Sequence, residues 1–236
     1  MTMSKKLALF LALVIALCSI SMAGCGKTKK TDDTENNTDE ISEIAINSDY
    51  ELRDIIEGEW RAPIDLKTVM NYQAEQSEDD EAKEIFKYFD FSNIEFELTL
   101  TFDHGETKMK YDFEKSKDRL RKALFDGYMK YAKKMFEEEY DLYGAELEEA
   151  LAEIEDQANS DVDELMIDIE EDVSEGYYRI SGKKIFFADE LEDLPDSDER
   201  ILCKILSKDE LKIIEWVDED SDFPESLFPL VMKKSK

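Results

Sequence analysis

Ile94-Glu95-Phe96-Glu97-Leu98-Thr99-Leu100-Thr101-Phe102, followed by Asp103-His104-Gly105-Glu106, is the stretch on which the reading of the fold turns. Apolar and polar residues alternate through its first nine positions. A strand points successive side chains to opposite faces, so this pattern gives one buried and one wetted face. Asp103 to Glu106 reads as a hairpin turn, with Gly105 supplying the positive φ. Met109, Tyr111 and Phe113 continue the alternation in a return strand.

Toward the C-terminus the period changes. Lys115 to Asp172 loses alternation and gains helical spacing, a helical insertion of 58 residues. Leu120, Leu124, Tyr128, Tyr131, Met135 and Phe136 form one apolar stripe. Leu147, Leu151 and Ile154 form a second after a break at Gly144, and Val162, Leu165, Met166 and Ile169 a third. Asn159-Ser160-Asp161 separates the last two, with Ser160 or Asp161 available to cap a new helix. Strand signals then return. Gly176 to Ile180 leads through the tight turn Ser181-Gly182 to Lys183-Lys184-Ile185-Phe186-Phe187. Glu199–Leu206 and Glu210–Val217 make another hairpin, and Leu227 to Lys233 is a last strand in which Pro229 suits an edge or bulge.

Upstream, Tyr50, Leu52, Ile55 and Ile56 have helical spacing, and Gly58 ends that short helix. Glu59 to Ile64 reads as the first strand. Leu66–Gln76 and Ser77–Phe89 read as two short helices, the second opening on an acidic turn that suits the helix dipole. The total is about eight short antiparallel strands around a helical insertion, a mainly β (α+β) chain suited to a closed barrel or a sandwich.

Gly58-x-Trp60, after a short helix and at the opening of the first strand, resembles the lipocalin (calycin) signature. The resemblance covers Asp49 to Lys236 and implies an eight-stranded barrel with Trp60 plugging its closed end. It also implies a small apolar ligand in the lumen. The chain departs from the family in having no Thr-Asp-Tyr motif, no C-terminal helix and no arginine after the last strand. Lys233 and Lys234 are the cations available to stand over Trp60, without the planar guanidinium.

The N-terminus is of another kind. Lys5 and Lys6 precede the apolar run Leu7 to Ile20, then Met22-Ala23-Gly24-Cys25. The run is too short for a membrane span and right for a signal h-region. Small Ala23 and Gly24 before a cysteine resemble the lipobox of bacterial lipoproteins, with Met22 in place of the usual leucine. The resemblance implies cleavage after residue 24, a diacylglycerol thioether on Cys25 and extracytoplasmic anchoring in the cell membrane. The expected organisation is therefore a signal peptide over 1–24, a flexible polar tether over 25–48, and one β domain over 49–236 with its insertion at 115–172.

The chain carries 60 acidic and 30 basic residues, a charge of −30. Such a surface repels nucleic-acid phosphates and anionic lipid, and the strongest basic stretch, Lys115 to Lys134, is interleaved with the apolar positions of a helix. The 13 Phe and 10 Tyr suffice for a single core. Of three cysteines, Cys18 lies in the leader and Cys25 is the lipid acceptor, which leaves Cys203 unable to form an internal disulfide. Cys203 shares a strand face with Ile201 and Ile205 and reads as a buried structural thiol.

His104, the single histidine, falls in the hairpin turn and lacks the partners of a catalytic or zinc-binding histidine. Asp218-x-Asp220-x-Asp222 starts like a calcium loop, but Phe223 stands where glycine is needed and Pro229 where the bidentate glutamate should be. No phosphate loop, nucleophile elbow or dinucleotide fingerprint is present. Trp60, Phe96, Phe102, Tyr111, Tyr178 and Phe187 read as core or lumen aromatics. The expected function is non-catalytic, without cofactor or metal. It is a lipid-anchored binding barrel for a small apolar ligand, or an envelope interaction protein with a packed barrel and its acidic insertion as contact surface.

Overall fold

The computed structural model describes residues 51–77, 79–217 and 223–235. Cys25 and its tether, and Asp218, Asp220 and Asp222, lie outside them. In chain order the elements are α1 (Leu52–Ile55), β1 (Gly58–Asp65), α2 (Leu66–Gln76), α3 (Asp80–Phe86), β2 (Glu95–Asp103) and β3 (Glu106–Asp112). A one-turn 3-10 helix (Glu114–Ser116) leads into α4 (Lys117–Glu139) and α5 (Ala145–Glu171). Then come β4 (Val173–Ser181), β5 (Lys184–Ala188), β6 (Arg200–Ser207), β7 (Glu210–Val217) and β8 (Leu230–Lys234).

The eight strands close into one antiparallel barrel in which every strand pairs with its sequence neighbour. β8 returns to β1 through the pairs Trp60↔Lys234 and Arg61↔Lys233, so no sheet edge is left open. The helices inserted between β3 and β4 stand where the change of period placed them. α1 and the β2–β3, β4–β5 and β6–β7 hairpins share one end of the barrel. The helical connections α2–α3 and α4–α5 leave from the other.

The registers follow the alternation. Trp60, Ala62 and Ile64 on β1 face inward beside Leu100, Leu98 and Phe96 on β2, and all six are buried. The β2–β3 turn has positive φ at His104 (51°) as well as at Gly105 (96°), the pair of left-handed residues that a tight hairpin turn requires. β4 begins at Val173, before Gly176, and β8 begins at Leu230, so Pro229 precedes the last strand rather than sitting inside it.

Two helix expectations are corrected. α3 starts at Asp80 rather than Ser77, because Asp79 caps it, its carboxylate accepting the N–H groups of Glu81 (2.8 Å) and Ala82 (3.3 Å). No new helix starts at Asn159-Ser160-Asp161, because α5 runs unbroken from Ala145 to Glu171. Asn159 and Asp161 find partners on α5 itself and on α4. Asn159 donates to the Glu155 carbonyl (3.0 Å) and accepts from Arg121 (3.2 Å), while Gln157 reaches Asp161 one turn on. Ala158 (0% exposed), Val162 and Leu165 (each 2%) carry the apolar stripe straight through the polar triplet.

Candidate functional site: the sealed end and the lumen

The sealed end is built by three residues from opposite ends of the fold. Trp60 is fully buried, and its indole N–H donates to the Ile56 carbonyl at 2.6 Å. Lys234, at the end of β8, folds back over it, with Nζ 5.3 Å from the indole centroid and 2.7 Å from the Ile55 carbonyl. Both bonds land on carbonyls at the end of α1, which leave a helix terminus without intrahelical partners. Gly58 makes the approach possible. Its φ is +112°, and a Cβ there would sit 3.0 Å from Lys234 Cε. Of the two candidate cations, Lys234 therefore stands over Trp60, while Lys233 points outward, 3.9 Å from Glu210.

On the rim of the same end, Glu57 accepts the Tyr178 hydroxyl at 2.7 Å and the His104 backbone N–H at 3.0 Å. His104 Nδ1 lies 2.5 Å from Asp103 Oδ1. The bond to Asp103, reinforced by its charge and that of Glu57, raises the His104 pKa above the ordinary imidazole value. Burial, with the bond to Glu57, pushes the Tyr178 phenol upward. His104, Glu57 and Asp103 bring their ligand atoms within 4.8 Å of one another, but all three are exposed, and the Tyr178 hydroxyl and the His104 main chain and ring already engage the carboxylates. His104 is thus a turn residue with a structural partner.

The lumen is lined by a continuous path of rings. Phe113 meets Phe96 (5.1 Å between centroids), Phe96 meets Tyr111 (5.4 Å), and Tyr111 meets Phe223 (6.4 Å). Phe223 contacts Trp216 (5.5 Å), which stacks on Phe187 (6.1 Å, interplanar 9°). Phe187 leads to Phe102 (6.3 Å) and Phe102 to Tyr178 (5.0 Å), whose hydroxyl ends the path at Glu57. A roomy cavity would leave its walls accessible to a water-sized sphere. Instead Leu98 and Ile185 are 0% exposed, Ile201, Cys203, Ile213 and Met232 1%, and the most exposed expected lumen aromatic, Tyr178, 7%. Among the described residues the lumen is filled by side chains, as in small closed barrels. Burial pushes the Cys203 thiol up to about 12, which leaves it protonated and inert at neutral pH.

Trp216 and Phe223 escaped the sequence reading. Plain alternation from Leu211 and Ile213 puts Glu215 inside and Trp216 outside. A register shift between β6 and β7 pairs Cys203 with Ile213 and Leu202 with Glu215, so Ile214 is the extra residue of a bulge. Ile214 is left 43% exposed, and Trp216 turns inward opposite Ile201. The one available signal was a large aromatic next to a strand's last inward residue.

The insertion supplies the other notable surface. α5 contains twelve Asp and Glu residues and no Lys or Arg. α4 answers two of them, with Arg121 2.7 Å from Asp163 and Lys117 paired with Glu170. Glu149, Glu153 and Asp156 lie on an exposed face of the N-terminal half, and Tyr140 and Tyr143, 44% and 62% exposed, stand at the α4–α5 turn. Among the described residues no helix is long and apolar enough to cross a membrane.

Fold and site together define a closed eight-stranded up-and-down barrel with a tryptophan-sealed end, an acidic helical hairpin and, among the described residues, a side-chain-filled lumen. No protein-family model, curated protein or solved structure matches the chain.

Proposed function

We propose that this is a lipid-anchored, extracytoplasmic, non-catalytic protein whose barrel is a rigid scaffold and whose acidic hairpin receives a basic protein partner. The observation that carries this reading is α5, a helix of 27 residues, about 40 Å long, with twelve acids and no base. Carboxylates kept along an exposed face steer a cationic partner and set its register more than they raise its affinity. The filled lumen supports the scaffold role, because a packed barrel resists deformation where it holds the hairpin. The lipobox-like Met22-Ala23-Gly24-Cys25 supports the anchor.

Cross-linking in intact cells tests the partner. A discrete basic protein should be captured, and the triple change Glu149→Gln, Glu153→Gln, Asp156→Asn should lose it. These positions are exposed, so the change leaves the core intact. Capture should fall steeply with salt. A partner retained by the triple variant, or none at low ionic strength, overturns the reading. Incorporation of labelled palmitate that survives Cys25→Ser would remove the anchor.

A small apolar ligand at the mouth of the barrel is the second reading. It is favoured by half-buried Trp216, which with Phe187 and Phe223 makes an aromatic face near the β7–β8 connection. Native mass spectrometry that finds only the bare chain after purification without added ligand counts against it. The arrangement of Gly58, Trp60 and Lys234 supports the lipocalin-like resemblance for the closed end.

A further inference from the structure

At the helix-covered end of the barrel, between α2 and the segment after α3, lies a cleft of about 270 Å³. Its floor is Met70, Ala74, Phe86, Phe89 and Phe91. Met70 and Phe91 are 6% and 7% exposed, and the Phe89 and Phe91 rings lie parallel within 9° at 5.9 Å. Phe89 is held from behind by α4. A Cβ on Gly127 would come within 2.3 Å of its ring, so ring and helix backbone are in direct contact. The apolar floor is therefore pre-formed.

The rim carries two lysines, Lys67 and Lys87, and one aspartate, Asp90. Lys67 rises from the first turn of α2 and Lys87 from the end of α3, both bordering the cleft. Lys67 and Lys130 of α4 are close enough to help hold the Asp90 carboxyl below its ordinary value, behind its bonds to Ser92. Asp90 also borders the cleft and is engaged by the Ser92 N–H at 3.0 Å. Lys67 makes one bond, to Ser92 Oγ at 3.2 Å, and Lys87 pairs with Glu84. Each ammonium has three donors, so both retain capacity for an acceptor. In a chain of charge −30, two lysines against one aspartate around an apolar cleft are a local exception.

We propose that this cleft binds a free monocarboxylate amphiphile, a medium-chain fatty acid or similar compound. Its chain lies along the Phe89–Phe91 stack and its carboxylate meets Lys67 and Lys87. The volume suits about nine heavy atoms, taking a water's share of liquid, about 30 Å³, as the yardstick. Apolar walls with a few convergent polar groups are the usual make-up of a small-molecule site. A single negative charge matches two lysines that are each partly engaged. The site is separate from the lumen and from the acidic face of α5.

The test uses the full chain in phosphatidylcholine vesicles and a diazirine-bearing hexanoate as probe, with the adducts mapped by mass spectrometry. Labelling should concentrate on Met70, Ala74 and the 86–91 segment. Excess hexanoate should displace the probe, and hexanol should not. Lys67→Glu and Lys87→Glu should each lower labelling of the cleft about tenfold. Both lysines are exposed, so near-ultraviolet dichroism should stay unchanged in these variants. Ala74→Trp, which fills the cleft, should abolish labelling there. Adducts spread evenly over the chain or centred on Trp216, equal displacement by hexanol, or labelling indifferent to all three variants would each overturn the proposal.

Discussion

Removing the Lys234 side chain gives the sharpest test of the sealed end. Lys234→Ala loses the bond from Nζ to the Ile55 carbonyl (2.7 Å) and the cation over the Trp60 ring (5.3 Å). A hydrogen bond to a charged group contributes about 1.5–3 kcal/mol, and a cation over an aromatic face about 0.5–1 kcal/mol where water has access. Lys234 is half-buried and the freed carbonyl becomes partly hydrated, so the expected loss lies near the lower end, about 2 kcal/mol. For a domain of this size that lowers Tm by about 4–8 °C. Gly58→Ala acts on the same structure through a different term. It places a side chain at φ +112° and a methyl 3.0 Å from Lys234 Cε. The backbone strain alone costs about 1–3 kcal/mol. In the double variant the crowding disappears and the strain remains, so the combined loss should fall short of the sum by about 0.5–1 kcal/mol. Lys234→Met, which keeps the stem over Gly58 and removes the charge, should destabilise without that relief. Urea unfolding followed by tryptophan fluorescence measures all four chains. A Lys234→Ala loss below about 0.5 kcal/mol, or strict additivity with Gly58→Ala, refutes the account of how β8 seals the barrel.

Three further outcomes are expected. Gly127→Ala should destabilise by about 1 kcal/mol although alanine favours helix by about as much, because its methyl meets the Phe89 ring at 2.3 Å; thermal unfolding checks the sign, and adding Phe89→Leu should recover the loss. Proton NMR of the single histidine should show His104 titrating above its ordinary value of 6.5, returning toward it in Asp103→Asn. A raised folded-state value means that this pair's stabilisation is fully present below pH 6.5 and is lost as pH rises through the folded-state value; titration at or below 6.5 in the parent chain contradicts the pairing. Iodoacetamide at pH 8 should leave Cys203 unmodified until the protein is unfolded, as peptide mapping would show, since its thiol is buried and pushed up to about 12.

Much of the barrel was legible because side-chain alternation is a local property. Phe96, Leu98, Leu100 and Phe102 had to share a face whatever the rest of the chain did, and the structure places all four inside. The break at Gly144 and the tight turn at Gly182 were legible for a similar reason, both having positive φ that glycine adopts without strain. The third helix failed because a polar triplet signals a cap only if its side chains lack better partners. Asn159 found Arg121, which lies 38 residues away. Trp216 failed because a bulge reverses alternation through the pairing of two strands, which neither strand encodes alone.

The sequence by itself determined the alternating strands, the helical insertion and its place between the third and fourth strands, and the chemical oddity of a glycine and a tryptophan opening the first strand. These are patterns over a few residues, set by backbone geometry and the segregation of apolar side chains. Tertiary structure decided that the sheet closes and that Lys234 crosses Gly58 to reach Trp60. It also decided that the rings fill the lumen and that Lys67 and Lys87 border the cleft beside Phe89. Each of these depends on distances between residues far apart in the chain. Those distances are set by barrel closure and helix packing rather than by any local preference.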